Sequence, residues 1–381
     1  MNLEVVEPSN ITPAINLELL QFFSQFHTSG WVDLKIDRLN DFFGLYKTQS
    51  DQFRTYVMRN QQSGKIEACA SFIARDVKLG DEIQKIAYAT DLRVSSSRRA
   101  ILEWSQHFLP TMEDVKTQMG VQHFFSFIDF TETAMTNIFL RPRNMRRTLP
   151  RYYLYRKFKV NTLHGRFPWA PAPISSLRIR EGNESNLDAL LAYLFKKFRF
   201  RPFASVWDGQ SFEKKIRRLT GFNLSDFLIA FDRHDQIVGC LSTWSPQLVQ
   251  KFIPYSFELH AHNFRQFLKF GQLLGWSHPL AKPVKSTGKE TPLAFRWLTN
   301  LAIDNEDVFE SLLWRAYEQL NKNEFLAYTH IEPDFRTRPP KAWISAQLPY
   351  SMYSIMPPTQ EIPAFLHPSE VMNPEIEGIF I

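Results

Sequence analysis

Part of this chain of 381 residues occurs twice. Residues 56–72 read YVMRNQQSGKIEACASF, and residues 227–243 read FLIAFDRHDQIVGCLST. Each is an apolar strand, a polar turn and a second strand, and Cys69 in the first copy matches Cys240 in the second at an offset of 171 residues. Solenoid repeats are only about 20–50 residues long, so an offset this large predicts a duplicated domain instead.

The composition argues against several classes of protein. Hydrophobic residues make up 44% of the chain, as in an ordinary globular protein, and the length suits two domains. The net charge of +6 is only mildly basic, so no nucleic-acid partner is expected. The N-terminal residues lack the basic and apolar regions of a signal peptide, and no apolar run is long enough to span a bilayer. We therefore expect a cytoplasmic protein without integral membrane association.

The order of predicted elements is the same in both copies. Alternating or continuous apolar runs predict strands, and apolar residues three and four apart predict helices. Each copy reads β-α-α-β-β-β-α-β-α-β, and its strand-helix-strand unit favours a parallel pair with a right-handed crossover. In the first copy this unit is the strand 87–94, the helix 101–119 and the strand 121–128; in the second it is 296–303, 307–321 and 324–331.

Composition also predicts the domain boundaries. The segment 164–176, HGRFPWAPAPISS, is rich in proline and is interpreted as a linker. It separates a domain of residues 1–163 from a domain of residues 177–356. The Pro-rich tail 357–381 is expected to wrap the surface.

The second domain is longer than the first. The offset between the copies grows from 171 residues at the hairpin to 209 at the following strand. The second domain therefore carries an insertion at about 245–292. This insertion includes an aromatic amphipathic stretch at 255–276.

This order of elements, a hairpin followed by a strand-loop-helix-strand unit, resembles that of the GNAT (N-acetyltransferase) superfamily. The resemblance covers most of the chain, twice. It implies an α+β fold (a three-layer α/β arrangement) of two GNAT-like domains, each a mixed, mostly antiparallel twisted sheet flanked by helices. In that superfamily the loop after the central strand and the N-terminus of the next helix hold the pyrophosphate of coenzyme A. A helix N-terminus suits an anion because it presents unpaired N–H groups and the positive end of the helix dipole.

The matching segment of the first copy, at 88–104, is YATDLRVSSSRRAILEW. The resemblance implies that acetyl-CoA or another acyl-CoA binds here as the cosubstrate. The cofactor-binding residues that it implies are Leu92, Val94, Ser95, Ser96, Ser97, Arg98, Arg99 and Ala100. The glycines of the superfamily are absent, but these serines are small and the two arginines suit phosphate. The alternative is a serine N-cap followed by two solvated arginines.

The second copy differs at the same place. Its segment, at 297–313, is WLTNLAIDNEDVFESLL, so Asp304, Glu306 and Asp307 stand where a pyrophosphate would bind. Carboxylates at a helix N-terminus stabilise the helix themselves and repel an anion. The second copy is therefore predicted to hold a capped structural helix, and the cofactor site is predicted in the first copy.

Transfer of an acyl group to an amine needs a group that removes a proton from the amine. In the first copy the candidate bases are Asp91, on the central strand, and Asp129, at the end of the next strand. Asp91 could instead pair with Arg93 or another basic residue, and Asp129 could instead cap a short helix predicted at 131–140. The tyrosine that often protonates the leaving thiolate in the superfamily is absent from that short helix.

In the second copy, Tyr328, His330 and Glu332 are further catalytic candidates. Alternate residues of a strand share one face, so these three side chains are predicted to project together into a cleft. A histidine and a carboxylate on one face can form an acid–base pair. The alternative is a polar strand edge. His260 and His262 lack further ligands at metal-binding spacing, so no metal is expected.

Two functions fit these features. The first is an acyl-CoA-dependent N-acyltransferase that acts on a small-molecule or peptide amine, with the aromatic insertion shaping the acceptor pocket or covering the acyl chain. The second is a catalytically inactive tandem GNAT-like protein that binds or scaffolds, favoured by the missing glycines, the missing tyrosine and the acidic second loop. The acceptor, the acyl chain length and the oligomeric state stay open.

Overall fold

The hairpin and the strand-helix-strand unit after it occur in both parts of the chain. The structure is a computed structural model, and it describes residues 1–79, 82–130, 149–174, 176–367 and 373–380. The strands are β1 (Asn2–Val6), β2 (His27–Thr28), β3 (Val32–Asp37), β4 (Phe53–Arg59), β5 (Ile66–Leu79), β6 (Glu82–Val94), β7 (His123–Asp129), β8 (Arg151–Arg166), β9 (Arg178–Glu181), β10 (Phe227–Phe231), β11 (Ile237–Trp244), β12 (Lys251–Phe257), β13 (Ala294–Ile303), β14 (Glu324–His330) and β15 (Trp343–Met356). The helices are α1 (Pro13–Phe23), α2 (Gly44–Gln49), α3 (Arg98–Met119), α4 (Leu187–Phe198), α5 (Gly209–Arg218), α6 (Leu259–Leu273), α7 (Val284–Thr287) and α8 (Glu306–Glu318).

Twelve of these strands form one continuous sheet. Their order across it is β1-β4-β5-β6-β7-β15-β8-β14-β13-β11-β10-β9. Among the described strand pairs of this sheet, β6–β7 and β13–β14 are parallel and the rest are antiparallel. The predicted fold class, a mixed and mostly antiparallel sheet flanked by helices, is confirmed. We call the elements up to β8 the first half and those from β9 the second half.

The two halves exchange their last strands. β8 ends the first half but pairs with β14 of the second, and β15 ends the second half but pairs with β7 of the first. β8 and β15 also pair with each other, from Arg151 opposite Met356 to Arg166 opposite Trp343. This long antiparallel pairing joins the two half-sheets into one. Because β8 continues to Arg166, the first residues of the predicted linker are strand and not linker.

One face of the sheet carries a core that spans both halves. Helices α1, α2, α4 and α5 cover this face, and Cys69 and Cys240 both lie in its buried cluster. On the opposite face the cores are separate, since α3 covers the first half through Trp104 and α8 covers the second half through Phe309. The two halves therefore have separate cores on one face of the sheet only. Shared apolar burial on the other face holds the two halves together.

Most residues from 373 to 379 are buried, whereas residues 359–362 of the same tail are exposed as expected. Residues 373–380 pack against β13 and β14, and Ile376 and Ile379 are each only 5% exposed. The Thr329 hydroxyl donates to the carbonyl of Ile376. From the first half, Gln49 Nε2 donates to the carbonyl of Ile379 at 2.8 Å. The last described segment therefore connects the two halves.

The insertion of the second half forms a small lobe. β12 pairs antiparallel with β3 of the first half, from Lys251 opposite Asp37 to Phe257 opposite Val32, and α6 and α7 follow. The aromatic stretch predicted at 255–276 is largely α6. No helix in the described part of the chain is both long and apolar enough to cross a bilayer. The short helix predicted at 131–140 lies outside the described residues.

Candidate functional site

In the described part of the chain, β6 and β7 separate after a short parallel pairing and leave a gap between them. The two strands pair in parallel only from Ile86 opposite His123 to Tyr88 opposite Phe125. β7 stays paired with β15 along its length, so beyond Tyr88 the described strands leave the β7 side of β6 without a partner. Residues 89–95 of this stretch are all half-buried. This stretch of β6 is the candidate site of the first half.

A β-bulge lies in this gap. Ser71 of β5 pairs with Thr90 and Cys69 pairs with Arg93, so Asp91 and Leu92 together oppose a single residue of β5. Asp91 takes a left-handed backbone conformation with φ of 52°. Aspartate and asparagine adopt this conformation more readily than other non-glycine residues. The bulge turns the backbone locally, as bulges next to binding sites often do.

The side chain of Asp91 is fixed below the bulge. Its Oδ2 atom lies 2.5 Å from Nη2 of Arg38, and the Tyr46 hydroxyl donates to it at 2.6 Å. The Asp91 and Arg38 side chains are 6% and 3% exposed. Burial, followed by the charge of Asp91, raises the pKa of Tyr46. Since Asp91 as a residue is half-buried, its exposed part is the backbone, and the carboxylate is a buried partner rather than a free base.

Sequence patterns contain no sign of this cluster. Arg38 and Tyr46 lie 53 and 45 residues before Asp91, and helix α2 brings Tyr46 to it. The predicted alternative for Asp91 was a pair with Arg93 or another basic residue; the partner is Arg38, whereas Arg93 lies over the ring of Phe23. Only the tertiary fold identifies which arginine is the partner.

The other base candidate of the first half lies on β7. Asp129 is the last residue of that strand, is half-buried and stands opposite Tyr350 of β15. It follows the point where β6 and β7 separate. The helix that it was expected to cap begins outside the described residues, so that alternative stays a prediction.

The predicted phosphate loop lies at the end of the same gap. Helix α3 begins at Arg98, three residues earlier than the predicted start, with Ser97 as its N-cap accepting from the Ala100 amide at 3.1 Å. Ser95 binds Glu67 through its amide at 2.7 Å and through its hydroxyl. The residues from Ser96 to Arg99 are exposed.

Both arginines of this loop thus stand in the first helical turn. Arg99 makes an ion pair with Glu103 at 3.0 Å, with its side chain 61% exposed. Among the described contacts of Arg98, no carboxylate pairs with its guanidinium. Two exposed guanidinium groups beside a capped helix N-terminus are suited to an anionic ligand.

The second half repeats the bulge but closes the gap. Ser242 pairs with Thr299 and Cys240 with Ala302, and Asn300 has φ of 53°. The Asn300 side chain donates to the Ser242 hydroxyl and accepts from Nζ of Lys215, both at 2.7 Å. β13 and β14 pair only up to Trp297 opposite Ala327, and the C-terminal segment 373–380 packs beyond that point. As predicted, the acidic loop leads into a capped helix, since Asn305 is the N-cap of α8.

A cavity of about 260 Å³ remains beside the C-terminal segment. Its lining includes charged and polar side chains from both edges of the closed gap: Arg201, Asn300, Thr329, Arg336, Glu375 and Glu377. Glu375 pairs with Arg201 at 3.0 Å, and Glu377 pairs with Lys215 at 2.5 Å. Burial, opposed by Arg201 and supported by Glu377, raises the pKa of Glu375 to about 7. Sequence reasoning missed Glu375 because the tail has no strand or helix periodicity.

Tyr328 and His330, two of the three catalytic candidates of the second half, both contact Thr337. The Tyr328 hydroxyl donates to the carbonyl of Thr337 at 3.0 Å, and Nδ1 of His330 lies 2.9 Å from the Thr337 hydroxyl. Both side chains are buried, and burial lowers the pKa of His330. Glu332 follows the end of β14 and pairs with Lys159 at the surface, 59% exposed. The expectation that all three share a cleft is therefore wrong for Glu332.

No protein-family model matches the chain, and no curated protein sequence matches it. Solved structures do match. The GCN5-related glucosamine N-acetyltransferase region of a fungal multi-domain GH3 beta-N-acetylglucosaminidase has a TM-score of 0.54 and 10% identity, and covers 93% of this chain. This chain spans only 38% of that protein. Saccharomyces cerevisiae N-myristoyltransferase with bound myristoyl-CoA has a TM-score of 0.51 and 9% identity, covering 92% of this chain and 82% of its own. The chain thus has the GNAT fold, and the resemblance predicted from the sequence is confirmed.

Proposed function

We propose that the chain is an acyl-CoA-dependent N-acyltransferase whose acyl donor binds in the gap of the first half. The observation that carries this proposal is the bulge at Asp91. There the β7 side of β6 has no partner strand among the described residues, while Arg38 and Tyr46 hold the Asp91 side chain in a buried cluster. The GNAT fold supports it, since the solved neighbours of this fold are acyltransferases by description.

The proposed reaction moves the acyl group from sulfur to nitrogen. The amine attacks the thioester carbonyl, a C–N bond forms, the C–S bond breaks, and the coenzyme A thiolate leaves and takes a proton. Backbone N–H groups of β6 that face the gap are suited to stabilise the developing oxyanion, because such donors need no reorganisation. Arg98 and Arg99 at the start of α3 would hold the pyrophosphate. The second half shapes the acceptor site.

Glu375 is the base that this arrangement favours. It lines the cavity of the second half, and a carboxylate with a pKa of about 7 is suited to remove a proton near neutral pH. Gln49, the last residue of α2, donates to the carbonyl of Ile379, so the helix that carries Tyr46 contacts the C-terminal segment. The acceptor we propose is a small-molecule or peptide amine entering this cavity. Changing Glu375 to Gln should lower turnover without weakening donor binding.

Donor binding is tested by thermal shift and calorimetry with coenzyme A and acyl-CoAs from acetyl to myristoyl. The double variant Arg98→Ala/Arg99→Ala should lose the shift. Arg217→Ala is the matched control, because Arg217 is also exposed and pairs with a glutamate four residues away, as Arg99 does. The control should keep the wild-type shift. An unchanged melting temperature with every acyl-CoA would contradict donor binding.

A binding protein without catalysis is the second candidate. It is favoured by the ion pairs that occupy two of the predicted bases, since Asp91 is paired with Arg38 in a buried cluster and Glu332 with Lys159 at the surface. Release of the coenzyme A thiol in the presence of amines separates the two functions. Turnover that Arg98→Ala/Arg99→Ala abolishes supports the enzyme, whereas acyl-CoA binding without turnover on any amine supports the binding protein.

A further inference from the structure

Helix α6 of the insertion points an apolar face at solvent. Phe267, Phe270 and Leu274 lie three and four residues apart and therefore share one face of the helix. Phe270 is 58% exposed and the neighbouring Leu273 is 80% exposed. Aromatic and leucine side chains are usually buried, so a contiguous exposed group of them marks an interaction surface.

The exposed face continues onto the segment that follows β8. The Trp169 ring, 68% exposed, stacks on Phe167 with centroids 4.6 Å apart. Phe167 in turn lies 6.5 Å from Phe267, and Trp169 lies 6.4 Å from Trp276. We call Trp169, Phe267, Phe270, Leu273 and Leu274 the α6 aromatic surface.

Tight packing on the opposite side fixes the orientation of this helix. Leu268 and Gly271 are its buried residues. A Cβ atom at Gly271 would lie 2.5 Å from Oγ of Ser277, and that hydroxyl donates to the carbonyl of Leu268 at 2.8 Å. The helix is thus held close to the body by its small residue. The aromatic surface is exposed by the fold and not by fraying of a helix end.

Basic side chains border the aromatic surface. Lys269 is exposed on α6, one turn after Arg265. Between 245 and 292 the chain has six basic and two acidic residues, a net charge of +4 against +6 for the whole chain. Of the two carboxylates, Glu258 precedes α6 and Glu290 pairs with Lys35 at 2.7 Å. The lobe therefore presents apolar and positive chemistry together.

We propose that the α6 aromatic surface binds the interface of an anionic membrane. A helix that shows Phe, Trp and Leu on one face and Lys and Arg on an adjoining face is suited to lie in the headgroup region of a bilayer. The positive lobe favours the anionic leaflet, because each basic residue near such a surface adds to the attraction. Burial of the rings among acyl chains supplies the apolar part. This inference does not depend on the proposed acyltransferase activity.

The test is co-sedimentation of the full chain with phosphatidylcholine vesicles, with and without phosphatidylserine. The triple variant Phe267→Ser/Phe270→Ser/Leu273→Ser should lose at least about tenfold in partitioning onto the anionic vesicles. Ile83→Ser is the matched control, since Ile83 is an apolar side chain that is 60% exposed on β6. The control should bind like the wild type. Both variants should keep the wild-type melting temperature.

A second variant tests the electrostatic part. Lys269→Gln/Lys285→Gln should weaken binding to phosphatidylserine vesicles and flatten its dependence on salt, because fewer charges meet the anionic surface. Absence of binding to both kinds of vesicle overturns the proposal, as does unchanged binding of the triple variant. A concentration-dependent dimer that the triple variant abolishes, in the absence of vesicle binding, would also overturn it and would identify the surface as a contact between two copies.

Discussion

Asp91 and Asn300 stand at matching bulges of the two halves, and their backbone φ values are 52° and 53°. Their partners differ, since Asp91 binds Arg38 whereas Asn300 binds Lys215 and Ser242. Both residue types tolerate a left-handed backbone, which explains how the bulge persists in each half. The two halves thus share the backbone conformation of the bulge, and in the second half the C-terminal segment packs beside it.

The buried ion pair of Asp91 gives the first prediction. Replacing Asp91 by Ala should destabilise the protein by about 3–5 kcal/mol, because the Arg38 guanidinium is left buried without its carboxylate. Asp91→Asn should cost less, since it keeps the preference for a left-handed backbone and an acceptor for the Tyr46 hydroxyl. The measurement is the free energy of unfolding from urea denaturation.

Glu332→Ala is the control for this prediction. Its ion pair with Lys159 at 2.8 Å is comparable in length, but the Glu332 side chain is 59% exposed. Exposed pairs contribute little to stability, so this variant should keep the wild-type unfolding midpoint. Equal losses in the two alanine variants would show that Asp91 is not a buried structural partner.

The repeat made much of the fold predictable. The hairpins around Cys69 and Cys240 and the strand-helix-strand unit after each are local patterns, and they lie where the sequence placed them. The exchange of β8 and β15 was not predictable, because a strand pattern specifies which face is buried but not which neighbour it pairs with. The burial of Ile376 and Ile379 was not predictable either, because the residues around them show neither strand nor helix periodicity.

The site was less predictable than the fold. Ser97 as an N-cap and the acidic loop at α8 follow from local rules and were found. Arg38 could not be identified as the partner of Asp91, since their approach depends on where α2 and the chain before it pack. Glu375 could not be identified for the same reason, because its raised pKa and the cavity beside it depend on segments that are distant in sequence.

The closed gap of the second half gives the second prediction. A Cβ atom at Gly378 would lie 2.1 Å from the Trp297 ring, so Gly378→Ala should displace the C-terminal segment and cost about 1–3 kcal/mol. Digestion of the native protein by carboxypeptidase should then be faster. Gly209→Ala is the control, because Gly209 opens α5 with no atom near its Cβ position. Equal digestion rates in both variants would contradict the placement of the segment.

The two cysteines give the third prediction. Both are free and fully buried, and burial raises the pKa of Cys69 to about 12 and raises that of Cys240 as well. The thiolate is the reactive form, so neither should react with a disulfide reagent in the native protein. Both should react in denaturant. A thiol that reacts at native conditions would show that its half opens far more easily than the shared core implies.

Glu375 gives a prediction of pH dependence. The pKa of Glu375 is about 7 in the folded protein, against 4.5 for an ordinary glutamate. Between pH 4.5 and pH 7 the native state therefore binds more protons than the unfolded chain. The contribution of Glu375 to the free energy of unfolding is therefore fully present below about pH 4.5 and is lost as the pH rises through 7. The glutamine of Glu375→Gln carries no charge at any pH. The free energy of unfolding of this variant, relative to the wild type, should therefore increase between pH 5 and pH 8 by up to about 3 kcal/mol, at about 1.4 kcal/mol per pKa unit.

The comparison must be a difference between variant and wild type, because another group titrates in the opposite sense. Burial lowers the pKa of His164 to about 3, so its contribution to stability is lost as pH falls below about 6.5. That loss is common to both proteins and cancels in the difference. Urea denaturation at pH 5, 6.5 and 8 measures it. A difference that stays constant with pH would mean that Glu375 is ionised throughout, held by Arg201 at 3.0 Å, and would remove the raised pKa that favours it as the base.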